Sequence, residues 1–244
     1  MDKETKNNME LGFAICGPIF VLTYLIFWIG FGHNSPPPNF VGMTGEQLVS
    51  EYYGKYQSSI SIGMAMSAVI AFLYLFWSCL LSSMMNEQAG EGKSLVYMQL
   101  VGGTLTAWVL GFCPAIWLVC ATHAYAIPPE MIKVIHSFTW YIYDLTYMIT
   151  GCQLTGIGLF SILNKKQTMF PAWTGWAAIA VGVIFLPLTL VAFVADGPFA
   201  VGGVWNFYIV FGTWGFAFFT PYSYFMIKEL LSRRRVLNMT PVSA

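Results

Sequence analysis

One carboxylate interrupts WYIYDLTYMITGCQ, residues 140–153. Asp144 has aromatic and apolar neighbours on both sides, and no Lys or Arg stands between it and the end of the apolar run at Phe160. A carboxylate in such company can act as general acid or base, accept hydrogen bonds from a bound molecule, or tie one helix to another. On a helix, Trp140, Tyr141, Tyr147 and Met148 share its face at i−4, i−3, i+3 and i+4. His136, two turns earlier, falls within about 80° of it. The spacing therefore predicts a polar track along a single helix: His136, Asp144, Tyr147 and Gln153, with Trp140 and Tyr141 alongside. Read as function, the track is a ligand or proton site. Read as architecture, it is an interhelical hydrogen bond.

Other reactive side chains are scattered. His33, His123 and His136, with Glu130 and Asp196, fall near the same ends of apolar stretches, but no pair has the i, i+4 spacing of ligands on one helix. The cysteines, at 16, 79, 113, 120 and 152, are odd in number and lie inside apolar stretches. That is not a disulfide framework, and there is no C-x-x-C. No second buried carboxylate or nucleophile motif accompanies Asp144, and no motif asks for a cofactor.

The elements that must position Asp144 are membrane helices. Of the 244 residues, 57% are apolar and 9% charged, and the mean hydropathy is +0.65. A soluble domain has about a quarter of its residues charged. Six apolar stretches reach the roughly 20 residues that a bilayer requires: 11–31, 58–84, 96–122, 135–163, 173–195 and 204–230. The breaks between them carry loop chemistry: GHNSPPPN at 32–39, NEQAGEGK at 86–93, AIPPE at 126–130, NKKQ at 164–167 and DGP at 196–198. The whole chain, 1–244, reads as one transmembrane helix bundle.

Sidedness follows from charge. With the N-terminus cytoplasmic, Lys3, Lys6, Lys93, Lys165, Lys166, Lys228, Arg233, Arg234 and Arg235 fall inside, and only Lys55 and Lys133 fall outside. The positive-inside bias thus predicts an even number of spans with both termini cytoplasmic. The RRR run reads as an anchor beside anionic headgroups, not a nucleic-acid site. In the outer loop, 32–57, Thr44 and Gln47 have capping-box spacing and Leu48, Tyr52 and Tyr56 form an apolar stripe. A short amphipathic helix over 44–56 is expected.

Further features concern packing. Pro18, Pro114, Pro187 and Pro221 interrupt predicted helices. Gly102-Gly103, Gly151 with Thr155, and Gly212 with Gly215 provide small surfaces for helix contact. Trp28, Trp140, Trp173, Trp176 and Trp205 are placed for an interfacial belt, whereas Trp108 and Trp214 fall near mid-span.

PAIWL at 114–118, FPAWTGW at 170–176 and DGPFAVGG at 196–203 resemble stretches in uncharacterised polytopic bacterial inner-membrane proteins. The resemblance implies residence in a bacterial inner membrane and carries no activity or site residues. Three functions stay open from sequence. The first is binding or transport of a small, largely apolar molecule in an outer-leaflet pocket near Asp144. The second is an intramembrane enzyme acting on a lipid or isoprenoid-like substrate. The third is an accessory subunit packed against a membrane-protein partner or a further copy of itself. The lipid bilayer is the partner common to all three, and nucleic acid is not among the partners.

Overall fold

The computed structural model describes residues 1–90, 92–166 and 169–239. Glu91 and Gln167, in two of the polar breaks, and Ala244 at the C-terminus lie outside them. The described residues form helices and turns, with no strand among them. Asp2 opens the first helix by accepting the Thr5 N–H at 2.8 Å. This helix, α1 (Lys3–Tyr24), continues as a π-helix over Leu25–Phe31. After a loop come α2 (Gly45–Gln47) with its π-helical extension Leu48–Tyr53, then α3 (Gln57–Gln88) and α4 (Lys93–Thr122). Next are α5 (Pro129–Leu145), α6 (Tyr147–Leu163) and α7 (Ala172–Phe185), the last extended by a 3-10 helix over Leu186–Ala192. The chain ends with π-helical Val204–Ile209, α8 (Val210–Thr213), π-helical Trp214–Phe219 and α9 (Thr220–Met239).

Five stretches are long and apolar enough to cross a membrane: Lys3–Phe31, Gln57–Gln88, Lys93–Thr122, Pro129–Leu163 and Ala172–Ala192. The stretch at 204–230, expected to be a sixth, is helical but is not one of the five. Trp205, Asn206, Tyr208 and its glycines dilute the apolar residues before α9, and Lys228, Glu229 and Arg233 to Arg235 place charge along α9 itself. The expected fourth span falls within Pro129–Leu163, and Thr146 interrupts it, α5 ending at Leu145 and α6 starting at Tyr147. In the 32–57 loop, Thr44 and Gln47 form both hydrogen bonds of a capping box, and the helix they start runs to Tyr53.

Glycine lets the central helices touch backbone to backbone. A Cβ at Gly102 of α4 would lie 2.5 Å from the Gln153 nitrogen of α6, and one at Gly156 would lie 2.8 Å from the Leu95 carbonyl. Hydrocarbon supplies no hydrophobic drive between helices, so such close packing and interhelical hydrogen bonds hold a membrane bundle together. A buried chain provides those bonds here. Tyr74 Oη donates to Gln153 Oε1, Gln99 Nε2 donates to Ser78 Oγ at 3.1 Å, and Ser82 Oγ donates to Gln99 Oε1. Leu22, Ile26, Val69, Phe72 and Trp108 stand exposed outside this core, an apolar surface suited to lipid.

Two sets of contacts gather the helix ends. In one, Lys6 of α1 and Arg233 of α9 both pair with Glu87 of α3, at 3.1 and 2.9 Å. Asn164 Nδ2, after α6, donates to the Gln88 carbonyl at 2.7 Å. In the other, the Gly45 N–H donates to Glu130 Oε1 at 2.7 Å, Gln57 Nε2 to the Ala121 carbonyl at 2.9 Å, and Asn39 Nδ2 to the Ala195 carbonyl at 3.1 Å.

Candidate functional site

Asp144 occupies the last turn of α5, just before the break. Thr146 leaves helical geometry at ψ 12°, and its hydroxyl donates back to the Ile142 carbonyl at 2.7 Å. The end of a helix presents carbonyls and no free donors, so the carboxylate must find its donor on another element. Asn206, in the π-helix at 204–209, supplies it: Asn206 Nδ2 donates to Asp144 Oδ2 at 3.0 Å. Both side chains are buried, each 3% exposed.

Beside them lies a cavity of about 70 Å³. Asp144, Tyr147, Leu188, Val210, Phe211 and Trp214 are among its lining residues. Its walls are apolar apart from the carboxylate and a few hydroxyls. An arrangement of this kind orients a small molecule through one polar contact and excludes water from the rest.

A cluster of buried rings adjoins the cavity through Tyr143. Trp117 and Trp140 have ring centroids 4.8 Å apart, and Trp28 stacks on Tyr143 at 5.4 Å. The indole N–H groups of Trp28, Trp117 and Trp140 have no hydrogen-bond partner among the described residues. His136 lies at the edge of this cluster, 6.4 Å from Trp140, with its Nδ1 2.6 Å from Tyr53 Oη. Tyr53, from the helix begun at Thr44, therefore packs over His136.

The track expected along one helix divides. Asp144 and Tyr147 reach the same cavity, but Tyr147 does so from α6 across the break, with its hydroxyl 2.8 Å from that of Thr189. His136 and Trp140 belong to the ring cluster instead. Tyr141 turns to Phe40, at 6.2 Å, and lines no part of the cavity. Gln153 is committed to Tyr74. The turn at Thr146 lies between Asp144 and Tyr147, and even on an unbroken helix Gln153, nine residues on, stands about 180° from Asp144.

The histidines also part company. His33 Nε2 is 3.2 Å from Ser59 Oγ, and partial burial with Lys55 nearby holds its imidazole below the ordinary range. His123 bonds to Thr122. Two of the tryptophans expected in an interfacial belt, Trp28 and Trp140, are 0% and 1% exposed, so they are core residues. Trp173 and Trp176 remain outside, at 55% and 63%. Of the mid-span pair, Trp108 is exposed and stacked on Phe112, while Trp214 lines the Asp144 cavity.

Sequence reasoning did not find Asn206 or Tyr143. The signal for Asn206 was present: it is the one amide in VWNFYIVFG. A hydrogen-bonding pair 62 residues apart cannot be recognised from spacing within a helix. Comparison with family models, with curated proteins and with solved structures finds no match to this chain.

Proposed function

We propose that the chain is a six-span protein of a bacterial inner membrane, with both termini cytoplasmic, that binds or carries a small, largely apolar molecule at Asp144. The two sets of helix-end contacts support the topology. Lys6, Glu87, Asn164 and Arg233 share one end, as an even number of crossings requires, and the basic residues concentrate there. The observation that carries the binding role is the buried Asp144 carboxylate in the wall of an apolar cavity, with Asn206 Nδ2 its one donor among the described residues.

That donor leaves acceptor capacity unused, since the two carboxyl oxygens can accept more than one hydrogen bond. A ligand with one hydroxyl or amine would fill it. The cavity, about 70 Å³, is smaller than the ~150 Å³ apolar cavity that takes up benzene. It suits the polar end of a molecule, with the remainder lying elsewhere.

The test is equilibrium binding of short-chain alcohols to the protein in lipid nanodiscs. A hydrogen bond contributes about 0.5–1.5 kcal/mol between neutral groups and about 1.5–3 kcal/mol to a charged one. Asp144→Leu is therefore expected to weaken binding by roughly 2- to 150-fold. Equal affinity for wild type and Asp144→Leu would remove the carboxylate from any binding role.

A further inference from the structure

A second opening lies against the same wall. A groove of about 290 Å³ runs between the first helix and the 204–220 stretch, lined among others by Leu25, Trp28, Phe207, Phe211, Trp214 and Phe216. Phe211 and Trp214 line both this groove and the Asp144 cavity. These two residues stand in the walls of both.

Three independent features mark the groove. First, π-helix flanks it on both sides, Leu25–Phe31 on one and Val204–Ile209 with Trp214–Phe219 on the other. The π form is rare and concentrates at functional sites. Second, its glycines are uncovered. A Cβ on Gly212 or Gly215 would meet no described atom within 4 Å, unlike the helix-packing glycines of α4 and α6. Third, two of its wall residues, Trp28 and Trp214, carry indole N–H groups that are buried and have no hydrogen-bond partner among the described residues.

The surroundings say what fits. Leu22, Leu25, Ile26, Tyr208 and Phe216 around the groove are all at least half exposed, so on the membrane reading it opens sideways into hydrocarbon. A second helix would need close approach to the two glycines. Leu25, Tyr208 and Phe216, which line the groove and project from it, hold a body of that width away. A single flexible chain is slim enough to enter.

We infer that this groove is a lateral portal through which a bilayer-borne, chain-bearing alcohol reaches Asp144, its chain in the groove and its hydroxyl past Phe211 and Trp214. A hydroxyl is a compact, uncharged head group that can donate to the Asp144 carboxylate while its chain stays in hydrocarbon. The inference rests on the Asp144 binding role proposed above and adds the class of molecule and its route.

Photolabelling separates the two ideas. The probe is a long-chain primary alcohol with a diazirine at mid-chain, added to the protein in lipid nanodiscs, with labelled peptides mapped by mass spectrometry. Wild type is expected to be labelled at groove positions such as Ile29 and Phe207. Labelling there should fall at least tenfold in Gly212→Leu/Gly215→Leu, with the melting temperature little changed because a Cβ at either position meets nothing within 4 Å. Asp144→Leu should lower it at least tenfold too, by removing the anchor for the head. Uniform labelling of all lipid-facing positions, insensitive to the glycine substitutions, would overturn the portal while leaving the short-alcohol result at Asp144 intact. Groove labelling that ignores Asp144→Leu would show a chain site unconnected with the carboxylate and would also overturn it. A Gly215→Cys variant that crosslinks to a second copy in the membrane would assign the groove to a helix and defeat the inference.

Discussion

Asp144 and Asn206 form a pair whose two members do not have equal consequences. Asp144→Asn retains a side-chain oxygen to accept from Asn206 Nδ2, so its stability is expected within about 1 kcal/mol of wild type. Asp144→Leu strands that amide and should cost about 1–3 kcal/mol. Asn206→Leu strands the carboxylate itself, the more expensive group to leave unpaired in a bundle core, and should cost the most. Melting curves in one detergent give the order directly, and Asp144→Asn melting below Asp144→Leu would contradict it. At this scale the sequence was partly legible. Asp144 declared itself as a charge where charge is costly. Its partner did not, because an asparagine among aromatic residues looks ordinary until a fold brings it within 3.0 Å of something. Tyr147 lines the cavity with Asp144, but from the far side of the break and not along one continuous helix.

Helices were legible by length and hydropathy, and their interruptions much less so. Prolines flagged four positions, yet the break that matters for the site is at Thr146, where neither Pro nor Gly stands. A threonine that bonds back to the carbonyl four residues earlier can end a helix only if tertiary packing favours it. The π-helical stretches left no periodic signature either. Glycine pairs could be picked out from sequence but not sorted, and the structure sorts them. Gly102 faces α6, with Gln153 backbone 2.5 Å from a would-be Cβ, whereas Gly212 and Gly215 face open space. Gly102→Ala is therefore expected to cost about 1–3 kcal/mol through overpacking. Gly215→Ala should be neutral or slightly stabilising, since Ala has the better helix propensity. Thermal denaturation of the two variants side by side checks this, and equal loss in both would mean that the sorting is wrong.

For the molecule as a whole, membrane character follows from composition and the all-helical bundle from the spacing of the polar breaks. The number of crossings is the harder quantity, because 204–239 is helical yet diluted and charged. On the six-span reading, reporter fusions placed after Met239 and within 36–46 should report opposite faces of the membrane. Agreement between the two would leave an odd number of crossings. At every scale the proposed function comes down to occupancy of one small space, the cavity beside Asp144. A high-resolution structure of the protein in nanodiscs with native lipids retained tests it most directly. The expected result is density for a bound molecule in the cavity among Asp144, Leu188, Val210 and Trp214, with an oxygen or nitrogen at hydrogen-bond distance, about 2.5–3.2 Å, from the carboxylate. A cavity closed by side chains, with Asp144 bonded only to Asn206 and other protein groups, would contradict it.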